Sequence, residues 1–194
     1  GKVIAIGSSG NDGNGTNAGH VRIYRYESGI WNQVGNDIDG EAEGDGSGGS
    51  ISLSSDGNIV AIGSTVRDSS EYVRVYRNDD DKWVQFGSEI YGNTYNERFG
   101  ASVSLSSGGE IVAIGAPSAH SSNGYYSGYV QVYRIKNGSW EKLGSQINGI
   151  ANFMSSGCSV RISSNGSVVA VGAPSSYGGR GSVRVYKNEQ GAWN

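Results

Sequence analysis

The chain has a single cysteine, Cys158, so no internal disulfide can form and the redox compartment cannot be read from cysteine usage. It has two prolines, and leucine is confined to Leu53, Leu105 and Leu143, which removes the usual material of packed helices. No stretch approaches the ~18 apolar residues of a membrane-spanning helix, so no membrane insertion is expected. Charge of neither sign dominates. The net charge of -3 and pI near 5.4 leave no electrostatic footprint for nucleic acid or anionic lipid.

What the chain does have is glycine, valine, isoleucine, tyrosine and repetition. Glycine supplies 33 of 194 residues, roughly 17% against a usual ~7%. The segment Ile4-Ala5-Ile6-Gly7 returns as Val60-Ala61-Ile62-Gly63, Val112-Ala113-Ile114-Gly115 and Val169-Ala170-Val171-Gly172. Each copy is followed by a polar loop and a second apolar strand ending at Tyr24, Tyr76, Tyr133 or Tyr186, spaced 52, 57 and 53 residues apart. Trp31, Trp83, Trp140 and Trp193 keep the same three spacings. A period in that range, built of short strands, predicts an all-β propeller with one blade per repeat, the repeats running over about 1–46, 47–98, 99–154 and 155–194.

Within one repeat, Ser102-Val103-Ser104-Leu105-Ser106 alternates small polar and apolar residues with the strand period of two. The turns Ser55-Asp56-Gly57-Asn58, Ser107-Gly108-Gly109-Glu110 and Ser164-Asn165-Gly166-Ser167 lead into the Val-Ala-Ile-Gly strands as hairpins. A Val-x-Val-Tyr strand and a Trp-containing strand complete a four-stranded antiparallel blade. The Ser-rich strand has the smallest side chains, so it should lie nearest the crowded axis. Cys158, standing where other repeats have Gly49 and Ala101, reads as a small buried filler. On this assignment about four blades are visible, the first without its inner strand and the last cut in its outer one, as in a fragment of a larger propeller completed by further blades or by self-association.

The run Phe99-Gly100-Ala101-Ser102-Val103-Ser104-Leu105, then Val112-Ala113-Ile114-Gly115-Ala116-Pro117, then Gly128-Tyr129-Val130-Gln131-Val132-Tyr133, resembles the FG-GAP repeat of integrin alpha-chain propellers and related microbial surface proteins. Gly172-Ala173-Pro174 followed by Gly181-Ser182-Val183-Arg184-Val185-Tyr186 repeats the pattern. The resemblance implies a propeller of about seven blades, extracellular, working in adhesion or ligand binding. Calcium loops of that family are not carried over. The hairpin that would hold them is Ser-Ser-Asp-Gly-Asn or its equivalent, too poor in carboxylates for a cage of six to eight oxygens.

Up-and-down strands put both long loops of every repeat on one face, and these loops vary most between copies, which marks that face as the candidate binding surface. Tyr91, Tyr95, Tyr125, Tyr126 and Tyr177 fall in it, beside Asn, Ser and Gly, as ligand-binding candidates or ordinary exposed tyrosines. Asp37, Asp39, Glu41, Glu43 and Asp45 alternate with small residues, as a calcium site or a solvated acidic loop. Asn14, Asn137 and Asn165 begin glycosylation acceptor triplets, although Asn-Gly is also hairpin material. Arg22, Arg74 and Arg184, replaced by Gln131 in the third copy, recur too regularly for a ligand site and suggest a structural role. The glycines between Gly7 and Gly15 mimic a dinucleotide fingerprint, but the chain continues into a strand from His20, where that fingerprint requires a helix.

Neither His20 nor His120 falls in a catalytic spacing. The sequence alone thus favours a non-catalytic adhesion or recognition module, extracellular or at the cell surface, with a protein or carbohydrate partner and no obligate cofactor. A structural subunit of a surface filament or layer stands second, and a glycan-active enzyme third.

Overall fold

A computed structural model of the chain describes residues 1–64, 71–175 and 179–194. These form four antiparallel sheets and no helix among the described residues. The first sheet holds β1 (Val3–Ser8), β2 (His20–Glu27), β3 (Ile30–Gln33) and β4 (Ile38–Asp39). The second holds β5 (Ser47–Leu53), β6 (Ile59–Ser64), β7 (Tyr72–Asp79), β8 (Lys82–Gln85) and β9 (Ile90–Tyr91). The third holds β10 (Ser102–Leu105), β11 (Ile111–Ala116), β12 (Tyr129–Lys136), β13 (Ser139–Lys142) and β14 (Ile147–Asn148). The fourth holds β15 (Ser159–Ile162), β16 (Val168–Ala173), β17 (Ser182–Glu189) and β18 (Ala192–Trp193).

The outer strand of a blade is broken in two, which the sequence pattern did not separate. After β8 pairs with one half of β7, the chain steps out and returns as β9, pairing Tyr91 with Tyr72 and Ile90 with Val73. Strands β4 and β14 do the same on β2 and β12. The outer hairpins are mirror-image two-residue turns. Asn137 and Gly138 have φ of 51° and 80°, conformations that Asn and Gly adopt most readily.

The Ser-rich strands are innermost, as their small side chains predict. Strand β5 touches β1 and β10, and β10 touches β15. Their hydroxyls stitch blade to blade: Ser50 Oγ donates to the Gly100 carbonyl at 2.6 Å and Ser102 Oγ to that of Gly157 at 2.8 Å. Ser52 and Ser104 accept the Leu105 and Ile162 amides at 3.0 and 3.1 Å. At the outer edge the tryptophans of the later three blades do the equivalent. Indoles of Trp83, Trp140 and Trp193 donate to the carbonyls of Val34, Phe86 and Leu143 in the preceding blade.

Between these polar seams lies the core. The Val-x-Val face of one blade packs on the Val-Ala-Ile face of the next: Val21 and Ile23 on Val60 and Ile62, Val73 and Val75 on Val112 and Ile114, Val130 and Val132 on Val169 and Val171. Each such fully buried side chain contributes roughly 1.5–3 kcal/mol. The fourth blade has no following neighbour here, and Val183 and Val185 are 74% and 64% exposed where their counterparts are buried. Cys158 lies on the same uncovered side and is exposed, which corrects its reading as a buried filler.

Candidate functional site

In the first and third repeats the two long loops share one face, and they are zipped together by backbone hydrogen bonds. In the first repeat Gly44 N donates to Thr16 O and Ser47 N to Ala18 O, at 2.8 and 3.0 Å. In the third, Phe153 N donates to Tyr125 O and Ser156 N to Ser127 O, at 2.7 and 2.9 Å. Loops so tied form a fixed surface on which side chains can be placed.

On this face, at the second blade, a cleft of about 400 Å³ is lined by Glu71, Tyr91, Gly92, Asn93, Thr94 and Tyr95. The pairing of β9 with β7 creates it, because setting Tyr91 beside Tyr72 brings residues 91–95 against Glu71, which precedes β7. Glu71 is only 4% exposed. Its Oε2 accepts the Phe99 amide at 2.7 Å. Burial pushes its carboxyl above the ordinary glutamate range, against the lowering effect of the Phe99 and Arg98 amides, and the neighbouring Glu97 charge adds to the rise. Glu97, also buried, anchors the segment that lines the cleft: it accepts Asn93 N at 2.5 Å, Thr94 Oγ1 at 3.2 Å and the Tyr129 hydroxyl at 2.8 Å. Tyr91 donates its hydroxyl to Glu89, and that bond raises its phenol. Glu89 is in turn clamped by Arg74. A desolvated carboxyl beside an open, polar, aromatic-walled cleft can exchange a proton with a bound molecule.

The four described candidate tyrosines divide between two places. Tyr91 and Tyr95 wall the cleft, whereas Tyr125 and Tyr126 stand on the long loops of the third blade with His120. Tyr177 lies outside the described residues. Glu71 and Glu97 were not singled out from the sequence.

The five acidic residues do not gather. Asp45 is buried and accepts the Tyr72 hydroxyl at 2.7 Å and the Glu41 and Ala42 amides at 2.8 and 3.0 Å, a structural cap. Glu41 pairs with Arg74 at 2.7 Å, and Glu43 is exposed. Asp37 is held by Arg22 through contacts of 2.8–3.0 Å, and that bond holds its carboxyl below the usual range. With Asp39 and His20 it offers three ligand atoms within 4.8 Å, well short of a calcium cage. The alternation in sequence misleads because the chain turns between β4 and β5 and sends the side chains to different partners. Two of the three recurring arginines have the structural role expected: Arg22 meets Asp37 and Arg74 meets Glu89, both across the outer strand of their own blade.

Asn14, Asn137 and Asn165 are all exposed, but Asn14 Nδ2 already donates to Gly40 O at 2.7 Å, and Asn165 Oδ1 accepts the Ser167 amide at 3.1 Å as part of its hairpin. Asn137 sits in the mirror-image turn of its hairpin, so hairpin and loop geometry account for all three.

Blades of four antiparallel strands, stacked side by side with their small-residue strands innermost, define a β-propeller architecture. Among solved structures, the chain is similar to a protein of Bacteroides uniformis named as a 6-phosphogluconolactonase, with 16% identity, a TM-score of 0.63, and coverage of 92% of this chain and 47% of that one. It is similar to the periplasmic gluconolactonase of Pseudomonas aeruginosa at 13% identity and a TM-score of 0.57, covering 95% and 49%, and to U3-55K at 15% and 0.51, covering 87% and 49%. It therefore spans about half the length of these proteins. No family model matches the chain, and no curated protein sequence does, so the FG-GAP resemblance rests on the motif residues alone. Identities this low carry the fold and not the activity. They nevertheless correct the expectation of a non-catalytic adhesion module: two of these propellers bear enzyme names, so the architecture gives no ground for excluding catalysis.

Proposed function

We propose that the chain is part of a propeller hydrolase acting on a sugar-type substrate, with the Glu71 cleft as its reactive site. The observation that supports this reading is Glu71 itself, a desolvated carboxyl whose affinity for a proton is raised by burial, at the wall of a cleft large enough for a monosaccharide. The names of the structural neighbours make a sugar lactone the substrate class to test first.

For a lactone the chemistry asks little of the protein. Glu71 as carboxylate takes a proton from water while the oxygen adds to the ring carbonyl. When the adduct collapses, the ring C–O bond breaks and the departing ring oxygen takes that proton back, so one water is consumed and Glu71 is restored. A carboxyl with a raised pKa is suited to both halves of this exchange. Tyr91 and Tyr95 supply flat walls for the sugar, and Asn93 and Thr94 are held by Glu97 at its edge. An extracellular or envelope location is part of the proposal, in keeping with the periplasmic neighbour. No described helix is long and apolar enough to cross a membrane.

The test is acid release from gluconolactone and 6-phosphogluconolactone above the uncatalysed rate. Glu71→Gln, which keeps the size of the side chain, is expected to cut turnover about 100-fold or more. Equal rates for the variant and the native chain, or no acceleration by either, would overturn the proposal.

A further inference from the structure

The long loops of the first and third blades share one backbone frame, which makes their differences informative. Asn14 Nδ2 donates to Gly40 O at 2.7 Å, and its counterpart Asn123 Nδ2 donates to Gly149 O at 2.9 Å. Gly44 N bonds Thr16 O as Phe153 N bonds Tyr125 O, and Gly46 N bonds Asn17 O as Ser155 N bonds Tyr126 O. The loop is closed in the first blade by Asp12 Oδ1, accepting the Asn17 amide at 2.7 Å, and in the third by His120 Nδ1, accepting the Tyr126 amide at 3.0 Å. Four positions thus correspond: Asp12 with His120, Thr16 with Tyr125, Asn17 with Tyr126, and Gly44 with Phe153.

At all four the third blade places a ring where the first has none. The frame does not require it, since the first blade builds the same loops without aromatics. Two of the rings sit where a side chain of their kind is unfavourable. Tyr126 and Phe153 have φ of 48° and 58°, in the left-handed region, where the first blade uses Asn17 and Gly44. Such placement costs on the order of 1 kcal/mol per residue, which the frame does not demand of an aromatic side chain. The rings are ordered against one another: Tyr126 and Phe153 are stacked at 19° with centroids 6.0 Å apart, and His120 meets the edges of Tyr125 and Tyr126 at 5.4 and 4.6 Å. Tyr125 and Tyr126 are exposed. Because His120 Nδ1 accepts a hydrogen bond, its ring proton is on Nε2, a donor beside the rings.

We propose that His120, Tyr125, Tyr126 and Phe153 form a sugar-binding platform on which the apolar face of a pyranose ring stacks, a holding subsite for an oligosaccharide separate from the Glu71 cleft. Four side chains are too small a surface for a protein interface, which needs about 800 Å² from each partner. They match one or two sugar rings, with tyrosine hydroxyls and the His120 Nε2 proton for the hydroxyl rim. The choice of a sugar rests in part on the hydrolase reading above, whereas the platform itself rests on the loop comparison.

The experiment measures binding of β-linked hexasaccharides of glucose, N-acetylglucosamine and xylose to the whole chain by calorimetry and by tyrosine fluorescence. Tyr126→Asn and Phe153→Gly restore the first blade's residues at their left-handed positions, so both variants are expected to fold, with melting checked alongside. At least one hexasaccharide should bind the native chain, and each variant should weaken it about tenfold or more. Glu71→Gln should leave this binding in place. Absence of binding to all three sugars, or binding unchanged in both folded variants, would overturn the platform. Saccharide binding that depends on the platform in a chain with no lactone turnover would retire the hydrolase reading and leave the platform standing.

Discussion

The Tyr129 hydroxyl donates to Glu97 at 2.8 Å, joining the loop that leaves the second blade to the first residue of the third strand in the next. Tyr72 and Asp45 make the same contact one repeat earlier, at 2.7 Å. At the third recurrence the pair is Met154 and Ser182, so carboxylate and phenol disappear together. Joint loss is what the energetics demand, because a buried carboxylate deprived of its donor costs more than the bond was worth.

Tyr129→Phe is therefore expected to lower unfolding stability by about 1–3 kcal/mol. Adding Glu97→Gln to it should recover part of that loss, since the buried charge that has lost its phenol donor is gone. Denaturant unfolding of the two single variants and the double variant checks this, and strict additivity would contradict the coupling.

Glycine ends the Val-Ala-Ile-Gly strand for a reason of space rather than backbone freedom. At Gly115 a Cβ would collide with the Gly157 carbonyl of the next blade, a backbone atom that cannot swing aside. Gly115→Ala should cost about 1–3 kcal/mol by overpacking. Gly108→Ala, in a turn where an added Cβ meets nothing within 4 Å, should change the unfolding midpoint little.

One repeat position tests how burial scales an ion pair. Arg74 is 7% exposed and contacts Glu89 at 2.5 Å and Glu41 at 2.7 Å, the latter from the preceding loop, whereas Arg22 is 45% exposed on its Asp37. Arg74→Met should destabilise by about 1–3 kcal/mol, because it strands the partly buried Glu89, whereas Glu41 is exposed and can be hydrated. Arg22→Met should change stability far less, and only that smaller effect should fade in salt. Thermal melts at low and high ionic strength distinguish the two.

The repeat made the fold legible: spacings of Tyr76, Tyr133 and their kin marked blades, and serine at positions 50, 52, 102 and 104 marked the innermost strands. The cleft was harder to read because its parts are 20 residues apart and meet only through the break in the outer strand, where β9 returns to β7. Yet one signal was present. The residue before the Val-x-Val strand is Gly19, Gly128 or Gly181 in three copies and Glu71 in the second, a charge where the frame otherwise puts glycine. Alternating acids at 37–45 were louder and structural. Spacing counted along the chain says nothing about side chains that a turn sends to opposite neighbours.

Glu71 also predicts how stability should respond to pH. Its folded pKa lies above the ordinary glutamate value of 4.5, so in the window above that value the folded chain holds a proton that the unfolded chain has released. Protonation is thus favoured by folding, and stability from this group is fully present below the unfolded pKa and lost as pH rises through the folded one. Glu71→Gln removes the group's titration. The difference in unfolding free energy between variant and native chain should therefore grow in the variant's favour from about pH 4.5 upward and level off once the native carboxyl is ionised. Because Gln can still accept the Phe99 amide, the comparison isolates the charge from the hydrogen bond. Denaturant midpoints measured across that range check it, and a difference that is flat with pH would mean that burial does not hold this carboxyl above its usual range.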